Sequence, residues 1–181
     1  MKIALIYGTD TGNTEYVAHL IQSGLGKDLV DLYDVAAINV DIFYQHRVFI
    51  LGIPTWYEGG LQSDWETMIE TMDEVNFKRR IVAVFGLGDQ ENWGFNFVDA
   101  MGELARKVLD CGATLAGKWP TSGYHFEQSQ GIIETGYFYG LALDEDQQPE
   151  LTAERISSWI NQLSGEFEYL GINSAVMKNV A

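Results

Sequence analysis

The sequence predicts an α/β domain in which five parallel strands form a doubly wound sheet with helices on both faces. Three observations carry this. Apolar runs at residues 3–7 (IALIY), 48–53 (VFILGI) and 81–85 (IVAVF) are continuous, as strands buried on both faces require. Helical patterns separate those runs, and strand–helix alternation gives βαβ units with right-handed crossovers. The chain has 181 residues, 46% hydrophobic and 20% charged, which suits one domain with a sizeable core.

The elements follow in order. Residues 3–7 form the first strand. Residues 14–25 place Val17, Ala18, Leu20, Ile21 and Leu25 at i, i+3, i+4 spacing, which predicts a helix. Residues 29–35 are apolar but more polar than the other runs, as an outer strand would be. Residues 48–53 are the third strand. Residues 64–72 put Trp65, Met68, Ile69 and Met72 on one helical face. Residues 81–85 are the fourth strand. Residues 97–108 repeat the helical pattern with Phe97, Val98, Met101, Leu104, Ala105 and Val108. Two more strand candidates, 113–119 and 139–143, enclose a segment over 121–138. Ile156, Trp159, Ile160 and Leu163 predict a last helix over 154–163, with its start near Pro149 and Thr152. Residues 1–165 are therefore expected to be one domain, and 166–181, without clear period, a loose tail.

Charge narrows the function. Eleven Lys+Arg stand against 26 Asp+Glu, a formal net charge of -15. A phosphate backbone or an anionic membrane would be repelled, so neither nucleic acid nor membrane is an expected partner; a protein with a basic face is. Acids cluster: no Lys or Arg lies between Val48 and Phe77, or between Trp119 and Glu154. The single Cys111 excludes an internal disulfide and a cysteine-ligated iron–sulfur cluster within one chain. His19, His46 and His125 have no metal-ligand spacing. No apolar stretch suits a signal peptide or a membrane span, so a cytoplasmic, reducing setting is expected. A monomer is the default expectation.

In a doubly wound sheet, ligands bind beyond the carboxyl ends of the strands. The loop after strand 1 reads Gly8-Thr9-Asp10-Thr11-Gly12-Asn13-Thr14 and opens into a helix. Glycines let several N–H groups turn inward, three Thr hydroxyls and an Asn amide add neutral donors, and the helix N-terminus adds partial positive charge. These suit a phosphate. The loop is neither a Walker A loop, since Asn13 stands at the Lys position, nor a G-x-G-x-x-G fingerprint.

The loop after strand 3 reads Pro54-Thr55-Trp56-Tyr57-Glu58-Gly59-Gly60, and that after strand 4 Gly86-Leu87-Gly88-Asp89-Gln90-Glu91-Asn92-Trp93. Two Trp on neighbouring ligand-end loops can sandwich a flat aromatic ring, each contact contributing about 0.5–1.5 kcal/mol beyond area burial. A planar ring with one phosphate, and no adenine site, points to FMN.

These residues carry a resemblance. T-x-T-G-x-T at 9–14, P-T-W at 54–56, L-Q-S-D-W-E at 61–66, G-L-G-D-Q at 86–90 and G-L-A-L-D-E-D at 140–146 are together similar to the bacterial flavodoxins. The similarity covers residues 1 to about 165. The segment 121–138, interrupting the last strand, resembles the insertion of the long-chain type. The resemblance implies strand order 2-1-3-4-5 and a non-covalently bound FMN. It implies a low-potential one-electron carrier, not an enzyme, that cycles between semiquinone and hydroquinone. Its partners would be basic-faced redox proteins, such as a flavodoxin/ferredoxin reductase and an electron-accepting enzyme.

Carried over by residue, Thr9, Thr11, Asn13 and Thr14, with the amides of 10–14, would hold the phosphate. Thr55 and Trp56 would lie at the flavin, with Trp56 on one face. Asp89 and its loop would meet the pyrimidine edge, and Asp146 the ribityl chain. The second stacking position, usually Tyr of a Gly-Tyr pair, is here Asn92-Trp93. The Tyr57-Glu58 peptide matches the one the family flips toward flavin N5; neither residue is glycine, which raises the expected cost. An FMN-dependent quinone reductase is the alternative on this topology.

Overall fold

A computed structural model describes residues 2–172. Its central sheet contains β1 (Ile3–Tyr7), β2 (Val30–Asp34), β3 (Val48–Pro54), β4 (Ile81–Leu87) and a fifth strand in two pieces, β5 (Thr114–Ala116) and β9 (Leu141–Leu143). The order is β2-β1-β3-β4-β5, all parallel. Both pieces of the fifth strand pair with β4: Ile81–Ala83 with β5 and Phe85–Leu87 with β9. The interrupted last strand is thus as expected. The insertion carries its own small antiparallel sheet of β6 (Trp119–Pro120), β7 (Ile132–Glu134) and β8 (Tyr137–Phe138), in the order β6-β8-β7.

The continuous apolar runs follow from coverage on both faces. Ala4, Ile6, Phe49, Leu51, Val82 and Val84 face α3 (Ser63–Thr71) and α4 (Asp99–Asp110), burying Trp65, Met68, Met101 and Leu104. The alternate residues Ile3, Leu5, Val48, Ile50, Ala83 and Phe85 face α1 (Asn13–Leu25) and α5 (Thr152–Tyr169), with Val17, Ile21, Ile156 and Trp159. β2 is half-exposed, as its polar composition suggests. A short helix, α2 (Ile42–Gln45), precedes β3.

Several boundaries differ from expectation. The strand expected over 113–119 pairs with β4 only over Thr114–Ala116, because Trp119 belongs to β6 in the insertion's own sheet. The helical pattern starting at Phe97 yields a helix only from Asp99, because Val98 adopts φ 51, a left-handed conformation costly for a β-branched residue. The last helix continues to Tyr169, and both Phe167 and Ile172 are buried in the α1–α5 layer. Phe167 continues the spacing of Ile160 and Leu163, so the apolar face runs one turn further than the expected domain end at 165. The rest of the tail expected from 166, residues 173–181, lies outside the described residues. No helix among the described residues is long and apolar enough to cross a membrane.

Candidate functional site

The loops after β1, β3, β4 and β9 converge on a cavity of about 260 Å³ at one end of the sheet. The first loop contributes Thr9, Asp10, Thr11, Asn13 and Thr14 to its lining. Pro54, Thr55, Trp56 and Tyr57 come from the end of β3, and Leu87, Gly88, Asp89 and Trp93 from the end of β4. Glu145 and Asp146 complete it.

The first loop is built to expose donors. Gly12 caps α1 at φ 92, and its amide donates to Thr9 Oγ1 at 3.0 Å. No side chain caps this helix, so its first N–H groups are left without a protein acceptor there. The Thr9 oxygen is used as an acceptor, which leaves its hydroxyl proton to donate. The loop is braced from α3. Gln62, fully buried, donates to Asp10 at 3.2 Å and to Asp64 at 2.7 Å, and accepts from the Trp65 amide at 3.1 Å. Trp65 Nε1 donates to the Gly52 carbonyl at 2.8 Å, and the Gly8 amide donates to the same carbonyl oxygen at 3.1 Å. A Cβ on Gly8 would lie 2.4 Å from Gln62 Oε1, so only glycine allows this approach.

The second loop is a tight hairpin. Trp56 and Gly60 exchange both backbone bonds, at 2.9 and 2.6 Å, around the turn 57–59. Tyr57 takes φ 44 and Gly59 φ 91. The Thr55 amide donates to Leu87 at 2.8 Å, tying the hairpin to β4. Trp56 Nε1 is buried and has no hydrogen-bond partner among the described residues. The Tyr57 ring lies 6.0 Å from Trp56 and 6.3 Å, edge-on, from Trp93. Tyr57 is 72% exposed and Trp93 43%. The cavity mouth is therefore aromatic and open to solvent.

Carboxylates form the rest of the rim. Asp10, Asp89, Glu145 and Asp146 line the cavity, and among the described residues no Lys or Arg does. Asp89 is committed to its own loop: it accepts from the Glu91 and Asn92 amides, from Asn92 Nδ2 at 2.6 Å and from Gln147 Nε2 at 3.0 Å. Burial pushes its carboxyl up, but these bonds outweigh it and hold it below the ordinary aspartate value. Asp146 goes the other way: burial first, then the Asp89 and Asp144 charges, raise it.

Of the expected site residues, Gly12, Glu58, Gly59 and Gly86 do not line the cavity. Gly12 shapes the turn. Glu58 lies in an adjoining groove with Asp10, Tyr57 and Ser63. A Cβ on Gly59 would lie 2.9 Å from Asp99 Oδ2, and one on Gly86 2.6 Å from Met101 Cβ, so both permit close packing behind the wall. Glu145, Gln90, Asp144 and Gln147 belong to the site or its support and were not singled out. Their signal was proximity in sequence to Asp89 and Asp146.

Comparisons with known proteins agree with this geometry. A family model described as flavodoxin matches residues 5–159. The flavodoxin of Klebsiella pneumoniae is 45% identical over 96% of this chain and 98% of its own length. Flavodoxin 1 of Escherichia coli K12 is 47% identical over 90% and 92% respectively. A crystal structure of Fusobacterium nucleatum flavodoxin bound to flavin mononucleotide superposes with a TM-score of 0.86, at 33% identity over 91% of this chain and 98% of that one. The cavity, its converging loops and these matches converge: this chain belongs to the flavodoxin family.

Proposed function

We propose that the chain carries electrons one at a time on a non-covalently bound FMN, and that the 260 Å³ cavity is where it binds. One observation carries the assignment: a single cavity joins a donor-rich helix N-terminus to an aromatic mouth. A phosphate and a flat ring, linked by a polyol, have those requirements in that order. Bound FMN supplies the redox chemistry, taking and giving single electrons.

The residues fit the group. Thr9, Thr11, Asn13 and Thr14, with the uncapped amides of α1, would hold the phosphate without a cation. The unpartnered Trp56 Nε1 fits an acceptor supplied by a ligand, since a buried N–H without one costs about 1–3 kcal/mol. Trp56 and Trp93 would flank the ring, and the backbone of 88–89 would meet its edge. Residues 1–165 together with the last turn of α5 would act as one binding unit.

The chain's charge sets the direction of tuning. Four carboxylates line the cavity, with no cation among the described residues that line it. A unit charge about 10 Å away at an effective dielectric of about 20 contributes about 1.7 kcal/mol. These acids, and the -15 net charge, disfavour adding negative charge to a ligand here, which lowers its reduction potential. They also suit partners with basic docking faces, and a monomer that presents the open mouth to them. The quinone-reductase alternative is not favoured by the family matches.

Anaerobic redox titration of the FMN-loaded protein tests this. Two resolved one-electron steps are expected; a single two-electron step, or no FMN binding, overturns it.

A further inference from the structure

The two walls of the cavity farthest along the chain lie in separate segments, 88–91 and 145–147, which two side-chain links join: Gln147 to Asp89 at 3.0 Å, and the buried Asp144. Asp144 is fully buried, with 0% exposure. Its Oδ2 accepts from the Gln90 amide at 3.0 Å and from Gln90 Nε2 at 2.8 Å. Its Oδ1 accepts from the Asp146 amide at 3.1 Å and the Gln147 amide at 2.9 Å. One oxygen therefore holds each wall. No ion pair among the described residues involves Asp144, so four N–H donors are what compensate its burial.

Gln90 extends the linkage. It is 2% exposed, and its Oε1 accepts from the His125 amide at 2.6 Å. His125 lies in the insertion, whose neighbouring amides, Glu127 and Gln128, both donate to the Gly94 carbonyl at 2.9 Å. The insertion thus grips the loop that carries Asp89 and Trp93, and Gln90 joins that grip to Asp144.

We infer that Asp144 is a positioning residue that sets the spacing of the two walls, and that Gln90 transmits the placement of the insertion into that spacing. Neither side chain lines the cavity. The inference rests on the cavity being the FMN site, but the linkage itself can be read without FMN.

Asp144→Asn keeps the shape and removes one acceptor. Whichever way the amide turns, its NH₂ faces two N–H donors, so one wall is released. Gln90→Met keeps the length, leaves the Asp144 charge and the backbone amide bond to it, and deletes both the Nε2 bond to Asp144 Oδ2 and the acceptor for His125. The experiment measures FMN dissociation constants by quenching of flavin fluorescence, both midpoint potentials, and amide hydrogen exchange of the FMN-free proteins. Asp144→Asn should weaken FMN about tenfold or more, shift the potentials, and speed exchange at Gln90 or at Asp146 and Gln147. Gln90→Met should weaken FMN about threefold and speed exchange at His125. Unchanged affinity and potentials in a folded Asp144→Asn protein would overturn the role of Asp144. Faster exchange at His125 with unchanged FMN binding would overturn transmission through Gln90. If Asp144→Asn does not fold, Gln90→Met decides alone: unchanged affinity and potentials overturn the proposal. If the unaltered protein binds no FMN, the functional reading fails, and the exchange data still decide whether Asp144 couples the walls.

Discussion

The two ends of the cavity are built differently. At the Thr-rich end the loop is braced at three points: Gly12 is held to Thr9, Asp10 to Gln62, and Gly8 is pressed against Trp65. At the aromatic end, Tyr57 and Trp93 touch edge-on while much of each ring faces water. The first end is organised before a ligand arrives, so binding there costs little ordering. The second leaves apolar surface exposed until something covers it. Affinity and recognition of an anion should reside at the first end, and tuning and partner contact at the second.

The largest effect should come from breaking the Thr-rich end. Thr9→Val with Thr11→Val removes two neutral donors, and bonds to a charged group contribute about 1.5–3 kcal/mol each. FMN affinity should fall about 100-fold or more by fluorescence titration, while riboflavin, which lacks the phosphate, should bind as before. Equal losses for both ligands would contradict the division.

Next is Trp56→Ala, which removes a ring from the other end. A loss of about 2 kcal/mol, roughly 30-fold, is expected for FMN and riboflavin alike. Trp93→Ala removes a half-exposed ring and should cost about 1 kcal/mol in the same assay, less than Trp56 because less area is covered.

The carboxylate rim should reveal itself through salt. Stopped-flow reduction by a basic redox protein should slow several-fold as ionic strength rises from about 0.02 to 0.2 M, because screening shortens the Debye length from roughly 20 to 7 Å. A rate independent of salt would remove steering from the account.

The smallest effect concerns pH. The raised Asp146 carboxyl has a charged form disfavoured by the fold, so its cost is present above its folded value and vanishes below the ordinary aspartate value near 3.9. Asp146→Asn should therefore be slightly more stable at pH 7, by roughly a few tenths of a kcal/mol given its exposure, and equal near pH 3. Denaturant titrations at the two pH values check both magnitude and sign. Asp89, held low, has the opposite dependence: its tether is present above the ordinary value and lost as pH falls through its folded value.

The buried parts were legible because periodicity reports burial. Runs such as 48–53 can only be covered on both sides, and the Thr-rich loop follows the first of these strands. The boundaries that escaped depended on contacts between distant segments. Val98 delays the start of the expected helix to Asp99 because the chain turns there, which its side chain does not signal. Phe167 was left out because one aromatic residue beyond Leu163 does not make a period. The role of Asp144 was invisible for a related reason. A carboxylate in a D-E-D stretch reads as solvated, and only Gln90, 54 residues away, shows it to be a clamp.

The divided fifth strand also bears on how the molecule assembles. The ninth strand reaches the sheet only at β4, and 24 residues (117–140) separate it from its other half. Closing a loop of that length costs about 2.8 kcal/mol in chain entropy beyond a constant. Glu145 and Asp146 follow that strand directly, so the last wall of the cavity is set only after the closure. The Thr-rich cradle needs little beyond β1, β3 and the helices that cover them, whereas the complete cavity also needs the β4–β9 pairing, whose partners, such as Phe85 and Leu141, lie farther apart in sequence than those of the other parallel pairs.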